Sequence, residues 1–223
     1  MKNIFFIFIF ILFLTHNVQA GIFLGYEKNS ANLYKINAEN SELQFLMHLN
    51  NQVDEIFFSP NGILFGFSRT QKTLYKIDFD SKETKQIMIL KKNLHNLTFD
   101  PAGQLFGIQQ EDNCIYSINF QSNELKIIAK IKKNITSMAF SSNGFLFAYD
   151  AIDKIIFRLD LISQQEYAIG QTQEMLKDMA FSHNGVLFAI TNQSLYTIDL
   201  NNGKPIKIFT LDKILSSITL TFN

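Results

Sequence analysis

The chain has 223 residues, 47% of them apolar and 23 of them phenylalanine, enough to bury a core of ordinary domain size. Its 20 basic side chains balance 20 acidic ones, which excludes nucleic acid or an acidic membrane surface as main partner, since both call for a basic excess. With Cys114 as the one cysteine, an internal disulfide and a thiolate metal cluster are excluded as well.

The chain opens on a segment with the layout of an export signal. Lys2 precedes an unbroken apolar run from Ile4 to Leu14, and Val18-Gln19-Ala20 offers small residues at the positions a signal peptidase reads before Gly21. Those eleven apolar residues fall short of the ~20 needed to span a bilayer, so no membrane span is expected after cleavage. The expected division is residues 1–20 as signal peptide and residues 21–223 as one folded domain, secreted or periplasmic. Cleavage leaves 19 basic against 20 acidic side chains, because Lys2 is the only charge removed.

From there the chain is a repeat. Phe58, Phe99, Phe140 and Phe181 recur at one fixed interval, as do Gly62, Gly103, Gly144 and Gly185, and again Phe65, Phe106, Phe147 and Phe188. An interval of about 40–45 residues is that of a propeller blade of four strands. Each unit predicts a first strand (Ile56–Ser59 and its equivalents), a Gly-containing turn such as Pro60-Asn61-Gly62, and a second strand such as Leu64–Phe67. An alternating third strand such as Leu74-Tyr75-Lys76-Ile77-Asp78 follows, and then a less regular outer strand such as Lys126–Lys130 or Ile206–Thr210. Leu33–Asn37 matches a third strand, so the first unit lacks a first strand of its own. Ile218–Asn223 is expected to supply it, with Phe222 lying one full interval beyond Phe181. The fold expected is all-β, a five-bladed β-propeller of 41-residue repeats, closed by its C-terminal strand and monomeric. Five such repeats need 205 positions, and the chain from Gly21 holds 203.

In a propeller the first strand lines the central channel, and its alternate residues point inward. This predicts an upper ring of Glu55, Asn96, Ser137, Asp178 and Thr219, and a middle ring of Phe57, Thr98, Ala139, Ala180 and Thr221. A lower ring of Ser59, Asp100, Ser141, Ser182 and Asn223 completes the set. The upper ring lies where the loops converge, which makes Glu55, Asn96, Asp178, Asp150 and Arg69 the candidate ligand-binding residues. Glu55, Asn96 and Asp178 bring two carboxylates and an amide oxygen to one axis, a donor set suited to a Ca²⁺-type ion. Asp150, which ends a second strand, is the one candidate for a catalytic base. The recurring Tyr34, Tyr75, Tyr116 and Tyr196 would suit a repeat lectin, but their alternation with isoleucine favours core packing.

The FSxNGxLF pattern followed by LYxID resembles the NHL and SMP-30/gluconolactonase-like extracytoplasmic propeller repeats, across residues 21–223. The resemblance implies fold first, although those families often have six blades. For the gluconolactonase branch it also implies an oxygen-ligated metal site. The function expected is a binding or interaction module for a protein, glycan or small molecule at the loop-rich mouth. A metal-dependent, lactonase-like hydrolase is the alternative.

Overall fold

The computed structural model describes residues 22–220; the expected signal peptide (residues 1–20), Gly21 and Phe222 lie outside that range. Twenty strands form five antiparallel sheets of four. Blade 1 holds β1 (Ile22–Glu27), β2 (Asn32–Asn37) and β3 (Glu42–His48). Blade 2 runs β4 (Glu55–Phe58), β5 (Leu64–Ser68), β6 (Thr73–Ile77) and β7 (Thr84–Ile89). Blade 3 runs β8 (His95–Phe99), β9 (Leu105–Gln109), β10 (Cys114–Ile118) and β11 (Leu125–Lys130). Blade 4 runs β12 (Ile135–Phe140), β13 (Leu146–Asp150), β14 (Ile155–Leu159) and β15 (Glu166–Gln171). Blade 5 runs β16 (Asp178–Phe181), β17 (Leu187–Ile190), β18 (Ser194–Ile198) and β19 (Pro205–Thr210). The last strand, β20 (Ser217–Leu220), pairs with β1 and completes blade 1, so the ring is closed by the C-terminal strand. The innermost strands β4, β8, β12, β16 and β20 touch in that cyclic order, β20 meeting β4.

The closing register differs from the one the period predicts. Tyr26 of β1 faces Ser217, just as its equivalent Phe67 faces Glu55. Ser217 therefore occupies the upper-ring place assigned to Thr219, Thr219 the middle-ring place assigned to Thr221, and Leu220 the place assigned to Phe222. The cause is local. Leu74, Ile115 and Ile156 open successive third strands at the regular interval, but Leu195 follows Ile156 two positions early. In blade 5 the β17–β18 connection is two residues shorter than its counterparts, and every position beyond it moves forward by two. The shortfall of 203 against 205 is this loop.

The core is five wedges, each between neighbouring blades. A second-strand phenylalanine of one blade packs on a first-strand phenylalanine of the next: Phe65 on Phe99, Phe106 on Phe140 and Phe147 on Phe181, with ring centroids 5.5, 5.0 and 5.0 Å apart. Such pairs add ~1 kcal/mol each beyond area burial. At the closure, where β20 offers Leu220, Phe188 meets Phe23 of β1 instead, at 4.4 Å. The recurring tyrosines are core, with Tyr34, Tyr75, Tyr116 and Tyr196 all under 9% exposed. Cys114 is buried too, and burial pushes its thiol pKa up.

Turn chemistry follows the period. Gly62, Gly103, Gly144 and Gly185 all adopt φ near +80°, and a Cβ there would meet nothing, so backbone angle alone selects glycine. In blades 1 to 4, Ala31, Lys72, Asn113 and Lys154 repeat a left-handed residue before the third strand, and Ser41, Lys82, Asn123 and Gln164 repeat another before the fourth, where blade 5 has Gly203. Each outer strand also carries a register shift against its neighbour, a bulge that blunts the exposed edge.

Candidate functional site

The structure gives the upper ring a task in holding blades together. Ser137 Oγ accepts from the Met179 amide of the next blade at 2.9 Å. Asp178 Oδ2 accepts from the Ile218 amide at 2.9 Å, and Ser217 Oγ from the Ile56 amide at 3.1 Å. The Glu55 carboxyl faces the Leu97 amide in the same way. One layer down, Thr219 Oγ1 accepts from the Phe58 amide at 3.2 Å. Four of the five upper-ring side chains thus reach the backbone of the following blade, one residue past their own equivalent.

Asn96 breaks this pattern. It is the one left-handed non-glycine outside the two repeating sets, with φ of 51°, and it sits in a bulge, since His95 pairs with Ile108 and Thr98 with Phe106. Blade 4 has a comparable bulge, where Ile135 pairs with Asp150 and Ser137 with Tyr149, leaving Thr136 as the extra residue. Bulges re-aim side chains and recur beside sites. Both of these lie at the upper mouth.

Above the ring, the residue preceding each ring member forms a second circle: Asp54, His95, Thr136, Lys177 and Ser216. With Glu55, Asn96, Asp178 and Arg69, this circle lines a polar cavity of about 140 Å³. Below it, the channel narrows to a cavity of about 90 Å³ running past the middle ring to the lower phenylalanines. Phe57, the one large side chain of the middle ring, leans outward and packs on Phe65 and Phe99.

The charges of the mouth are individually managed. The Asp54 carboxylate takes Lys28 Nζ at 2.5 Å, the Arg69 amide at 2.7 Å and Arg69 NH2 at 3.1 Å. Burial pushes its pKa up, but these partners outweigh burial and hold it below the usual carboxylate range. Arg69 NH1 lies 3.1 Å from His95 Nδ1, the contact of a guanidinium donating to a neutral imidazole. Burial and the Arg69 charge accordingly lower the His95 pKa.

Asp178 accepts four hydrogen bonds, from Ser137 Oγ (3.0 Å), the Met179 amide (2.9 Å), Ser217 Oγ (2.8 Å) and the Ile218 amide (2.9 Å). Burial still raises its pKa to about 6, these bonds working the other way. Glu55 has no comparable set. Its Oε1 is sealed from solvent with no partner, and burial, reinforced by Asp178, raises its pKa to about 8.

The sequence-predicted residues divide accordingly. Glu55, Asn96, Asp178 and Arg69 converge on one mouth. Asp150 does not join them: it is buried on β13, caps its own turn through the Ile152 amide at 3.0 Å, and faces Lys133 Nζ at 3.8 Å. Asp112, in the β9–β10 loop, is likewise held apart from the cavity lining by Lys92 and Tyr116. Asp54, His95, Thr136, Lys177 and Ser216 were not singled out as a ring from the sequence, although the same period marks the first four one position ahead of the ring chosen; Ser216 joins them through the two-residue shift at the closure.

The donor set does not suit a Ca²⁺-type ion. Asp178 has the four lone-pair directions of a carboxylate engaged by protein donors, so a cation would have to displace inter-blade bonds. Among the described residues, no group of three or more His, Cys, Asp or Glu is gathered for a metal.

Both raised carboxyls set an expected pH dependence. Their folded-state values lie above the ordinary ones, so the folded protein keeps protons that the unfolded chain releases. Their contribution is fully present below about pH 4 and is lost as pH rises through about 6 for Asp178 and about 8 for Glu55. Denaturant melts should show stability falling by ~2 kcal/mol or more between pH 5 and 9, with Glu55→Gln removing at least half of the fall. A Glu55→Gln profile parallel to wild type would refute this.

No protein-family model matches the chain, and no curated protein matches it in sequence. Solved structures do match in fold. One, reported in connection with the de novo evolutionary emergence of a symmetrical protein, aligns at TM-score 0.66 with 11% identity over 91% of this chain and 99% of that one. A gluconolactonase-like protein aligns at 0.59 with 12% identity, covering 88% of this chain and 80% of that one. A chain of a nidogen/laminin complex aligns at 0.58 with 13% identity, covering 89% and 84%. At these identities the likeness is one of architecture: the chain is a five-bladed β-propeller, similar in fold to gluconolactonase-like and nidogen/laminin-type propellers.

Proposed function

We propose that this protein is an exported binding module that takes a small polar molecule, or the polar end of a larger one, at its upper mouth. One observation carries the reading. Around a ring whose blades otherwise repeat, the circle Asp54, His95, Thr136, Lys177 and Ser216 presents a different polar residue from every blade to one cavity. A scaffold needs no such variety, and a site that recognises one molecule from five sides does. The cavity of about 140 Å³ suits only a few non-hydrogen atoms, which favours a small molecule over a protein partner. Export with cleavage before Gly21 is part of the proposal and rests on the first twenty residues; a mature protein whose mass still includes Lys2 or Met1 would rule that cleavage out.

The test is a thermal-shift screen across small acids, amines, sugars and neutral polar compounds. A binding compound should stabilise the wild-type protein by ~2.7 kcal/mol at a hundredfold excess over its dissociation constant. Arg69→Ala should abolish the response, and His183→Gln, in the turn after β16 beside the lower phenylalanines at the opposite end of the channel, should keep it. If no class of compound stabilises the protein, or if Arg69→Ala responds like wild type, the mouth is only a hydrated channel end.

A further inference from the structure

The mouth also shows which chemistry it has left unspent. Among the described residues four buried side-chain oxygens lack a hydrogen-bond partner, and two of them, Glu55 Oε1 and Thr136 Oγ1, belong to residues of this one cavity. A buried polar atom without a partner costs ~1–3 kcal/mol, and each such atom calls for an explanation. Thr136 is the extra residue of a bulge, so its orphaned hydroxyl is where the backbone was bent to put it.

Around these two atoms both other carboxylates, Asp54 and Asp178, are engaged, while the cationic side chains keep capacity to donate. Asp54 is occupied by Lys28 and Arg69, and Asp178 by its four inter-blade donors. Lys177 forms no ion pair among the described residues, and Arg69 keeps 42% of its side chain exposed despite its contacts. Glu55, neutral near pH 7, offers a hydroxyl, and Thr136 offers another. Exposed Glu111 is felt by His95 but does not line the cavity. Two cations and two hydroxyl donors facing one small volume match an anionic oxygen far better than a cation or an apolar group.

Resting on the reading that the mouth binds a ligand, we propose that its ligand carries a small oxyanion, a carboxylate or a phosphate, seated between Lys177 and Arg69 and hydrogen-bonded by Thr136 and Glu55. The two sources share donor geometry and differ in charge and size, so each is an arm of the test.

Isothermal titration of the full chain with acetate and, separately, with inorganic phosphate, at matched ionic strength in chloride, decides the matter. One of the two should bind saturably with a stoichiometry of one. Lys177→Met should weaken it about tenfold to a hundredfold, since a charge-assisted hydrogen bond is worth ~1.5–3 kcal/mol. Thr136→Val should weaken it about threefold to tenfold, as loss of a neutral donor does. Melting curves confirm that both variants fold, and His183→Gln on the lower face should bind as wild type does. The inference is overturned if neither anion binds saturably, or if Lys177→Met and Thr136→Val bind like wild type. Should the anions fail while a sugar or an amine still stabilises the protein through Arg69, the oxyanion assignment falls and the binding reading stands. Should no compound of any class act, both fall.

Discussion

Deleting Ser216–Asn223 is expected to unfold the protein at room temperature. The deletion removes β20, and with it the ladder that joins Phe23 to Leu220 and Tyr26 to Ser217. It also removes the Ser217 bond to the Ile56 amide and the Ile218 amide that Asp178 accepts from, so two of the inter-blade latches open together. Asp178 is then a buried carboxyl short of two of its four donors. Ile218 and Leu220, 2% and 6% exposed, leave their wedges, and burying side chains of this kind is worth ~1.5–3 kcal/mol each. Together with the opened latches and the exposed edge of β1 this is comparable to the ~5–15 kcal/mol by which a domain is usually stable. Circular dichroism of the truncated chain should show no cooperative melt. Leu220→Ala serves as the milder probe, with an expected cost of ~2–5 kcal/mol. A truncated protein melting within a degree or two of the full chain would mean that β20 does not close the ring.

The second large effect is expected at Gly170. This residue lies in β15, and a Cβ built on it comes 1.7 Å from the Asn202 carbonyl oxygen and 2.3 Å from the Asn202 carbonyl carbon. Gly203, at φ of 74°, meets Gly170 from the other side, its own Cβ position 2.6 Å from the Gly170 Cα. The outer strand of blade 4 and the β18–β19 turn of blade 5 are therefore in backbone contact, with no flexible side chain between them to yield. Overpacking ordinarily costs ~1–3 kcal/mol, and a backbone collision belongs at or above the top of that range. Gly170→Ala should therefore lose ~3 kcal/mol or more. Gly62→Ala, where the new methyl meets open space, should lose only the ~1–2 kcal/mol of a left-handed alanine. Equal losses from the two substitutions, read by urea denaturation, would show that the blades do not touch at this point.

Most of the architecture was legible in the chain because it is written by turns. A glycine that must sit at positive φ after each first strand marks the period, and the period carries the blade count, the closure by the C-terminal strand and the inward-facing ring. Register across the closure was misplaced by two residues because the period was carried past a shortened loop. The sign of that loop was present in the sequence, in the shortened step from Ile156 to Leu195.

The site was less legible, for a different physical reason. Whether Asp178 points to a ligand or to the next blade depends on how closely β16 and β20 approach, which is set by the packing of all five wedges and not by any local pattern. The bulges at Asn96 and Thr136 are likewise invisible in residue type, since asparagine and threonine occur in ordinary strands. The sequence thus located Glu55, Asn96, Asp178 and Arg69 at one mouth, and left to the structure the distinction between residues that latch and residues that remain free.

The pairing of β20 with β1 also has a consequence in time. A chain emerging from a ribosome at about 5–20 residues per second completes blades 2 to 5 in order, while blade 1, whose strands are made first, waits for the strand made last. Contacts such as Phe23 with Leu220 span nearly the whole described chain, and folding slows as the sequence separation of native contacts grows. For that interval β1 presents a bare edge of six residues, Ile22–Glu27, to any other extended chain nearby. The interval before β20 is made, rather than the finished ring, is therefore where this protein is most exposed to aggregation. A chaperone that masks strand edges would act on its first-made segment.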